Sequence, residues 1–193
     1  MRIIGGAWRG RRLIAPPGAA TRPTSDRVRQ ALFDMLLHAP WAGRKAVEGA
    51  VVLDAFAGTG ALGLEALSRG AATATFLERD RAALAALRAN VAACGAGARA
   101  RALESDALRP RPGAPSTLVF LDPPYGENLV PRAVTALAGT GWLATGALLV
   151  AEVGRDEPSP FAEVLAARTH GAARIEVARH ASSNVHTAAR TGR

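Results

Sequence analysis

Several features that would define the class of a protein are scarce or absent in this sequence of 193 residues. Cys94 is the only cysteine, so no disulfide forms within the chain, and we expect a small, inert side chain near a helix end. The histidines show no metal-ligand spacing with Cys94 or with acidic residues, so we predict no metal site; they are His38, His170, His180 and His186.

Long apolar runs are also missing, and no segment is long enough to cross a bilayer. The first residues lack the hydrophobic region of a signal peptide, so we expect a cytoplasmic protein with no membrane partner. Aromatic residues make up only 5% of the chain, so the core must consist mainly of Ala, Leu and Val. The length fits one domain with, at most, a small appendage.

Lysine is nearly absent, whereas arginine is abundant. Lys45 is the single lysine among 24 cationic side chains, and the formal net charge is +8. Such a charge favours a polyanionic partner, for example a nucleic acid. A bias in base composition is the alternative explanation, because the chain is also rich in Ala, Gly and Pro.

Residues 1–23 are predicted to form an N-terminal arm, followed by a domain over residues 24–193. Apolar residues on both sides of Gly5 and Gly6 favour a β-hairpin. Arginine forks contact phosphates and an aromatic ring can stack on a base, so we expect this arm to contact RNA through Arg2, Arg9, Arg11 and Trp8. A solvated charged edge that resists aggregation is the alternative.

A helix is predicted after the arm. Thr24 or Ser25 can cap its first turn, and Val28, Leu32, Met35 and Leu36 share one apolar face. Arg27 and Arg29 lie off that face, so we expect both to be available to a substrate.

Strands and helices alternate from Val51 onward, a pattern typical of a parallel sheet with helices on both faces. Strands are predicted at residues 51–54, 74–77, 98–103, 118–121, 147–153 and 174–178, and helices at 62–69, 81–94, 129–137 and 161–167.

Acidic side chains follow four of these strands, namely Asp54, Glu78, Asp106 and Asp122. Ligands of open parallel sheets bind outside the carboxyl ends of the strands, so these four acids predict a binding site.

Glycines follow the first acid, at Gly58 and Gly60. With Gly63 they have the spacing of a dinucleotide loop, but Asp54 in front of them would repel a pyrophosphate. An acidic group suits a cationic ligand, and S-adenosylmethionine carries a sulfonium and an amino group but no phosphate.

The sequence Asp122-Pro123-Pro124-Tyr125 follows the most apolar strand. The Asp122 carboxylate and the Pro123 carbonyl can accept hydrogen bonds from a planar amine and localise its lone pair on nitrogen, while Tyr125 can stack on a flipped-out base. An ordinary turn after a strand is the alternative.

These motifs together resemble the class I S-adenosylmethionine-dependent methyltransferases, which have a Rossmann-like, mostly parallel seven-stranded sheet. The resemblance implies that the first motif, with Phe56 inside it, binds the cofactor. It also implies that Glu78 binds the ribose and that Asp106, with its neighbour Ala107, binds the adenine.

Residues 2–13, 22–33 and 62–71 are similar to the bacterial family that methylates guanine N2 of 16S ribosomal RNA. The resemblance implies that the protein acts on the small ribosomal subunit, and we expect a monomer. It also implies substrate contacts from the arm and from the helix start, at Arg2, Trp8, Arg9, Arg11, Arg22, Thr24 and Arg27. Residues 180–190 depart from the family pattern, because they lack a glycine and bulky apolar side chains.

Other functions stay open at this point. Enzymes that methylate adenine N6 or protein glutamine N5 also use an Asp-Pro-Pro-Tyr-like motif. A non-catalytic RNA-binding assembly factor and a nucleotide dehydrogenase are further alternatives. The sequence does not distinguish naked RNA from the assembled subunit as the substrate.

Overall fold

The computed structural model describes residues 1–16 and 26–181. The helices are α1 (Asp26–His38), α2 (Ala61–Ser68), α3 (Arg81–Ala93) and α4 (Leu129–Gly139). The strands are β1 (Val51–Asp54), β2 (Thr73–Glu78), β3 (Ala100–Glu104), β4 (Ser116–Leu121), β5 (Leu143–Gly154), β6 (Ala166–His170) and β7 (Ala173–Arg179). Short 3₁₀ turns occur at Gly6–Trp8 and Arg44–Ala46.

All seven strands form one sheet in the order β3-β2-β1-β4-β5-β7-β6. The first five strands in this order are parallel to one another, and only β7 runs antiparallel to its neighbours β5 and β6. The predicted α/β architecture with a mostly parallel seven-stranded sheet is therefore confirmed.

Alternation along each strand divides the core between the two faces of the sheet. Val52, Phe76 and Phe120 pack on the face covered by α1, α2 and α3. Leu53 and Leu121 pack on the opposite face, which α4 covers. Cys94 is buried at the end of α3, as the sequence predicts for a small helix-end residue.

The N-terminal segment, residues 1–16, packs onto this core. An antiparallel bridge joins Arg2 to Arg12, and backbone hydrogen bonds link Ile3 with Arg11 and Leu13 with Met1, so the predicted hairpin forms around the first 3₁₀ turn without regular strands. Ile3 and Leu13 are 1% and 6% exposed and lie in the core. The expected boundary at residue 23 lies outside the described residues.

Glu65 anchors the N-terminal segment although it lies inside the otherwise apolar α2. Its carboxylate is fully buried and accepts hydrogen bonds from the amides of Ile4, at 2.7 Å, and Gly5, at 2.8 Å. The Arg69 guanidinium donates to the same carboxylate at 2.7 Å. Buried charge is tolerated only when it is paired and hydrogen-bonded, and these three donors meet that condition.

The helix predicted at residues 161–167 is wrong. Residues 162, 163 and 165 form bends, and β6 pairs with β7 from Ala166 onward. The apolar residues Val164 and Leu165 are 39% and 38% exposed, so a seven-residue helix there would gain too little burial to offset its nucleation cost.

The expectation for Arg29 is also wrong. Its side chain is 1% exposed and donates to the Arg2 carbonyl and the Asp26 carboxylate, both at 2.7 Å. Arg29 therefore links α1 to the N-terminal segment instead of facing a substrate. The predicted caps of α1, Thr24 and Ser25, lie outside the described residues.

Within residues 1–16 and 26–181, no helix is both long and apolar enough to span a membrane. The same residues contain no cluster of three or more side chains suited to bind a metal ion.

Replacement of Glu65 by alanine is expected to lower the free energy of unfolding by about 3 kcal/mol, because it leaves Arg69 and two amides without their buried acceptor. Urea denaturation measures the change. Glu48→Ala is the control, since Glu48 also forms an i, i+4 ion pair, with Arg44 on the surface, and its loss should cost about 0.5 kcal/mol or less. Equal losses in the two variants would contradict the anchoring role of Glu65.

Candidate active site

Strand register brings the predicted acids to one edge of the sheet. Asp54 pairs with Phe76 of β2 and with Phe120 of β4, so the carboxyl ends of these three strands lie side by side. Glu78 ends β2, and Asp122 directly follows β4. Asp106 follows the neighbouring strand β3 by two residues. The four acids that the sequence separates by up to 68 positions therefore share one edge.

Asp54 is the most deeply buried of the four acids. It is 1% exposed, and its Oδ2 accepts a hydrogen bond from the Gly63 amide of α2 at 3.0 Å. Burial raises the pKa of Asp54 to about 7; the Gly63 amide opposes this shift, and the charge of Glu78 adds to it. A nearby cation would favour the ionised carboxylate, so this position suits a positively charged ligand.

The glycine loop between β1 and α2 uses its glycines in different ways. Gly58 and Gly60 have φ angles of 52° and 81°, which favour glycine. A Cβ on Gly60 would meet Leu87 Cδ1 at 2.3 Å, whereas a Cβ on Gly58 would meet nothing within 4 Å. Gly63 lets α2 pack on Phe76, since its Cβ would lie 2.4 Å from that ring. Gly58 therefore leaves space for a ligand, and the other two leave space for the core.

Glu78 fixes the glycine loop to the start of α3. Its Oε2 accepts a hydrogen bond from the Gly58 amide, and its Oε1 accepts one from the Asp80 amide, both at 2.7 Å. Asp80 in turn caps α3 by accepting from the Ala83 amide at 2.7 Å. Each carboxylate oxygen has two lone pairs, so Glu78 keeps acceptor capacity for ligand hydroxyls.

Asp106 is one of the residues that line an open groove of about 680 Å³. Its Oδ1 accepts a hydrogen bond from the Leu108 amide at 2.9 Å, and the Arg79 guanidinium is 3.9 Å from its Oδ2. Ala107 is 2% exposed and belongs to the core, so only its backbone is available to a ligand. Phe56 is half-buried and packs against the same core as Ala107.

The Asp122–Tyr125 turn is largely buried where it leaves β4 and exposed at Tyr125. Asp122 is half-buried and Pro123 is buried, whereas the Tyr125 ring is 45% exposed. The Tyr125 hydroxyl donates a short hydrogen bond to Glu152 Oε1. Burial and the charge of Glu152 raise the pKa of Tyr125, so its hydroxyl remains a proton donor at neutral pH.

Asn90 of α3 ties the N-terminal segment to the glycine loop. Its side-chain amide donates to the carbonyls of Thr59 and Ile14, both at 3.0 Å, and its Oδ1 accepts from the Ile14 amide at 2.9 Å. The side chain is 1% exposed. The end of the N-terminal segment therefore lies beside the loop expected to bind the cofactor.

The side chains predicted to contact RNA differ in how exposed they are. Four arginines among them are exposed, namely Arg2, Arg9, Arg11 and Arg27. One face of the Trp8 ring is covered by the Arg99 guanidinium, 5.3 Å from the ring centroid, so that face is not open to a base. Arg22 and Thr24 lie outside the described residues.

Several functional side chains were missed by the sequence analysis. Asn90 lies three residues after Leu87 on the apolar face of α3, and Glu65 interrupts an apolar helix; a polar residue on a buried face was the available signal for both. Glu152 carried no such signal, because its position depends on which strand lies beside β4.

Sequence comparison finds known relatives over most of the chain. A family model described as Conserved hypothetical protein 95 matches residues 1–178. Ribosomal RNA small subunit methyltransferase D of Escherichia coli K12 is 47% identical over 154 residues, which cover 79% of this chain and 74% of that protein. The protein of the same name from Haemophilus influenzae is 37% identical over 163 residues, which cover 82% and 81% of the two chains.

Solved structures share the fold. The structure of yhhF from Escherichia coli has a TM-score of 0.79 at 40% identity, over 94% of this chain and 98% of that chain. An RNA methyltransferase from Salinibacter ruber in complex with S-adenosyl-L-homocysteine has a TM-score of 0.61 at 15% identity, over 83% and 94% of the chains. At that identity it shows the common fold alone.

The sheet order, the strand-end acids and these likenesses define a class I methyltransferase. Within this class, the chain belongs to the family of ribosomal RNA small subunit methyltransferase D.

The two glycines of the loop are expected to respond differently to substitution by alanine. Gly60→Ala combines a strained φ with a clash against Leu87 and should cost about 3 kcal/mol of unfolding free energy. Gly58→Ala has the strain but no clash and should cost about 1 kcal/mol. Thermal and urea denaturation measure both values. A larger loss for Gly58→Ala would show that the loop is not packed in this way.

Proposed function

We propose that this protein transfers a methyl group from S-adenosylmethionine to the exocyclic N2 amine of a guanine in 16S ribosomal RNA of the small subunit. The observation that carries the proposal is the adjacency of two sites on neighbouring strands. One is the buried Asp54 with its open glycine loop, and the other is the Asp122–Tyr125 turn after β4. Relatives named ribosomal RNA small subunit methyltransferase D support the ribosomal substrate.

The residues at the glycine loop fit S-adenosylmethionine. Asp54 supplies a buried negative charge for a cationic ligand, and Gly58 leaves open space beside the backbone. Glu78 offers acceptors for ribose hydroxyls, and Asp106 offers one for an adenine amino group. The bound cofactor supplies an electrophilic methyl group on a sulfonium.

Asp122 and Pro123 prepare the acceptor amine. An exocyclic amine of guanine is a weak nucleophile, because its lone pair is delocalised into the ring. The Asp122 carboxylate and the Pro123 carbonyl accept its N–H groups, which localises the lone pair on nitrogen. When the cofactor's methyl group is transferred, its bond to sulfur would break as the bond to nitrogen forms, and the Asp122 carboxylate would take up the proton that the amine loses.

Tyr125 supplies the surface on which the base rests. Its ring is exposed enough to stack on an extruded base, and its hydroxyl is held by Glu152, so the ring orientation is fixed before the base arrives. Orientation of this kind removes part of the entropic cost of the reaction.

The exposed arginines of the N-terminal segment and α1 supply the attraction for RNA. Contacts from Arg2, Arg9, Arg11 and Arg27 to phosphates would position the RNA without reading its sequence. Asn90 and Glu65 hold the N-terminal segment against the domain, so these contacts keep a fixed relation to the glycine loop.

Small subunits from a strain that lacks the enzyme are expected to gain labelled N2-methylguanine when they are incubated with the protein and methyl-labelled S-adenosylmethionine. Asp122→Ala should lower kcat by about 1,000-fold or more, because the amine loses its acceptor, while cofactor affinity changes by about twofold or less. Nucleoside analysis of digested 16S RNA and calorimetry measure the two effects.

Asp156→Ala is the control for the Asp122 variant, since Asp156 is an exposed acid in the turn after β5. It should keep full activity. Label in another base or in protein would refute the guanine-N2 assignment, and a fully active Asp122→Ala variant would refute the role of Asp122. Parallel reactions on naked 16S RNA and on assembled subunits identify the form that is methylated.

Cofactor affinity is expected to rise with pH from about pH 6 to about pH 8, by up to about tenfold per unit below the pKa of Asp54. The sign follows from burial, which raises the pKa of Asp54 to about 7 and leaves the carboxyl neutral at lower pH, without attraction for a cation. Calorimetric titration of S-adenosylmethionine measures this dependence. Asp54→Asn should bind more weakly at neutral pH and retain only the pH dependence of the ligand's own amine; an unchanged profile in this variant would contradict the assignment.

A further inference from the structure

A second carboxylate lies beside Asp122 at the carboxyl edge of the sheet. Leu121 of β4 pairs with Ala151 of β5, so the next residues along the two parallel strands, Asp122 and Glu152, are neighbours. Glu152 is half-buried, and the motifs recognised in the sequence do not include it. The edge therefore presents two carboxylates at the place where we expect the nucleobase that receives the methyl group.

Tyr125 connects Glu152 to the base-binding turn. Its hydroxyl donates to Glu152 Oε1, and the adjacent Gly126 amide donates to Glu157 Oε1 at 2.7 Å. The charges of Glu152, Asp122 and Glu157 all contribute to the raised pKa of Tyr125. Glu152 thus faces the same turn that holds the amine.

Guanine and adenine differ at the edge that such a pair of carboxylates would meet. Guanine presents N1–H and the N2 amine side by side, so it offers adjacent donors. Adenine and 2,6-diaminopurine have an unprotonated N1, which is an acceptor. A carboxylate only accepts hydrogen bonds, so it pairs with N1–H of guanine and opposes the lone pair of an unprotonated N1.

We propose that Glu152 determines specificity by accepting the N1–H of the target guanine while Asp122 accepts the N2 amine. The inference rests on the proposed guanine-N2 activity. The carboxylate has four lone-pair positions and accepts both the Tyr125 hydroxyl and N1–H, so Tyr125 holds it in place before the base arrives. Sites that pair with a polar group of the substrate reject analogues lacking that group, and here an unprotonated N1 would place its lone pair against the Glu152 carboxylate.

The test compares small subunits reconstituted with 16S RNA that carries guanine, 2,6-diaminopurine or 2-aminopurine at the methylated position. Both analogues keep the 2-amine and lack N1–H, and they differ from each other at C6. The wild-type protein should prefer guanine in kcat/KM by about 100-fold or more over both. In Glu152→Gln the preference should fall by about tenfold or more, because the new amide can donate to an unprotonated N1.

Two further variants separate reading of the base from positioning of Tyr125. Tyr125→Phe removes the hydroxyl and should slow all three substrates while it keeps the preference for guanine. Glu152→Asp retains a carboxylate and should retain a preference for guanine, even if its rates are lower. Glu163→Gln, in the exposed segment before β6, is the matched control and should behave as wild type.

The outcomes distinguish this inference from the proposed function. Equal kcat/KM for guanine and both analogues in the wild-type protein would overturn it without any variant. A Glu152→Gln variant that is slower but has an unchanged preference would reduce Glu152 to a support for Tyr125 and would also overturn it. If the wild-type protein methylates no guanine N2, the proposed function itself fails. Thermal unfolding of each variant shows that the compared proteins are folded.

Discussion

The parallel pairing of β1 with β2 on one side and β4 on the other is the constraint on which the site depends. Parallel strands end at the same edge of the sheet, so this pairing brings Asp54, Glu78 and Asp122 together although they are far apart in the sequence. A carboxylate at the end of a buried central strand loses hydration. For this reason burial raises the pKa of Asp54 to about 7. The amide of Gly63 offsets part of that loss, and the same contact fixes the start of α2.

Buried polar side chains from three helices hold the N-terminal segment, among them Arg29 of α1. Glu65 of α2 accepts the amides near its beginning, and Asn90 of α3 bonds both to Ile14 and to the glycine loop. Breaking either contact would leave polar groups unpaired in the core, so the segment is held far more firmly than its antiparallel bridge alone suggests. The backbone that carries its exposed arginines is therefore held in place beside the glycine loop.

Sequence patterns predicted those elements whose residues alone determine them, and failed where the structure depends on contacts between distant segments. β1 was predicted at residues 51–54, where it is observed, because an apolar run ends there in an acid and glycines. The helix predicted at residues 161–167 was wrong, since pairing of β6 with β7 outweighs a short apolar spacing. Arg29 was placed wrongly because its burial depends on the N-terminal segment that covers it. The position of Glu152 next to Asp122 could not be predicted, because it requires knowing that β5 lies beside β4 with Ala151 opposite Leu121.

The distribution of charge explains how one chain can serve two ligands of opposite sign. The net charge of +8 attracts a polyanion over distances of about a Debye length, and exposed arginines lie on the N-terminal segment and α1. At short range the carboxyl edge of the sheet is acidic, and a phosphate placed there would be repelled in a partly desolvated site. An uncharged base that offers N–H donors meets no such penalty. In the proposed function, this acidic edge would admit the target base and exclude the RNA backbone, which is the arrangement that extrusion of a single nucleotide requires.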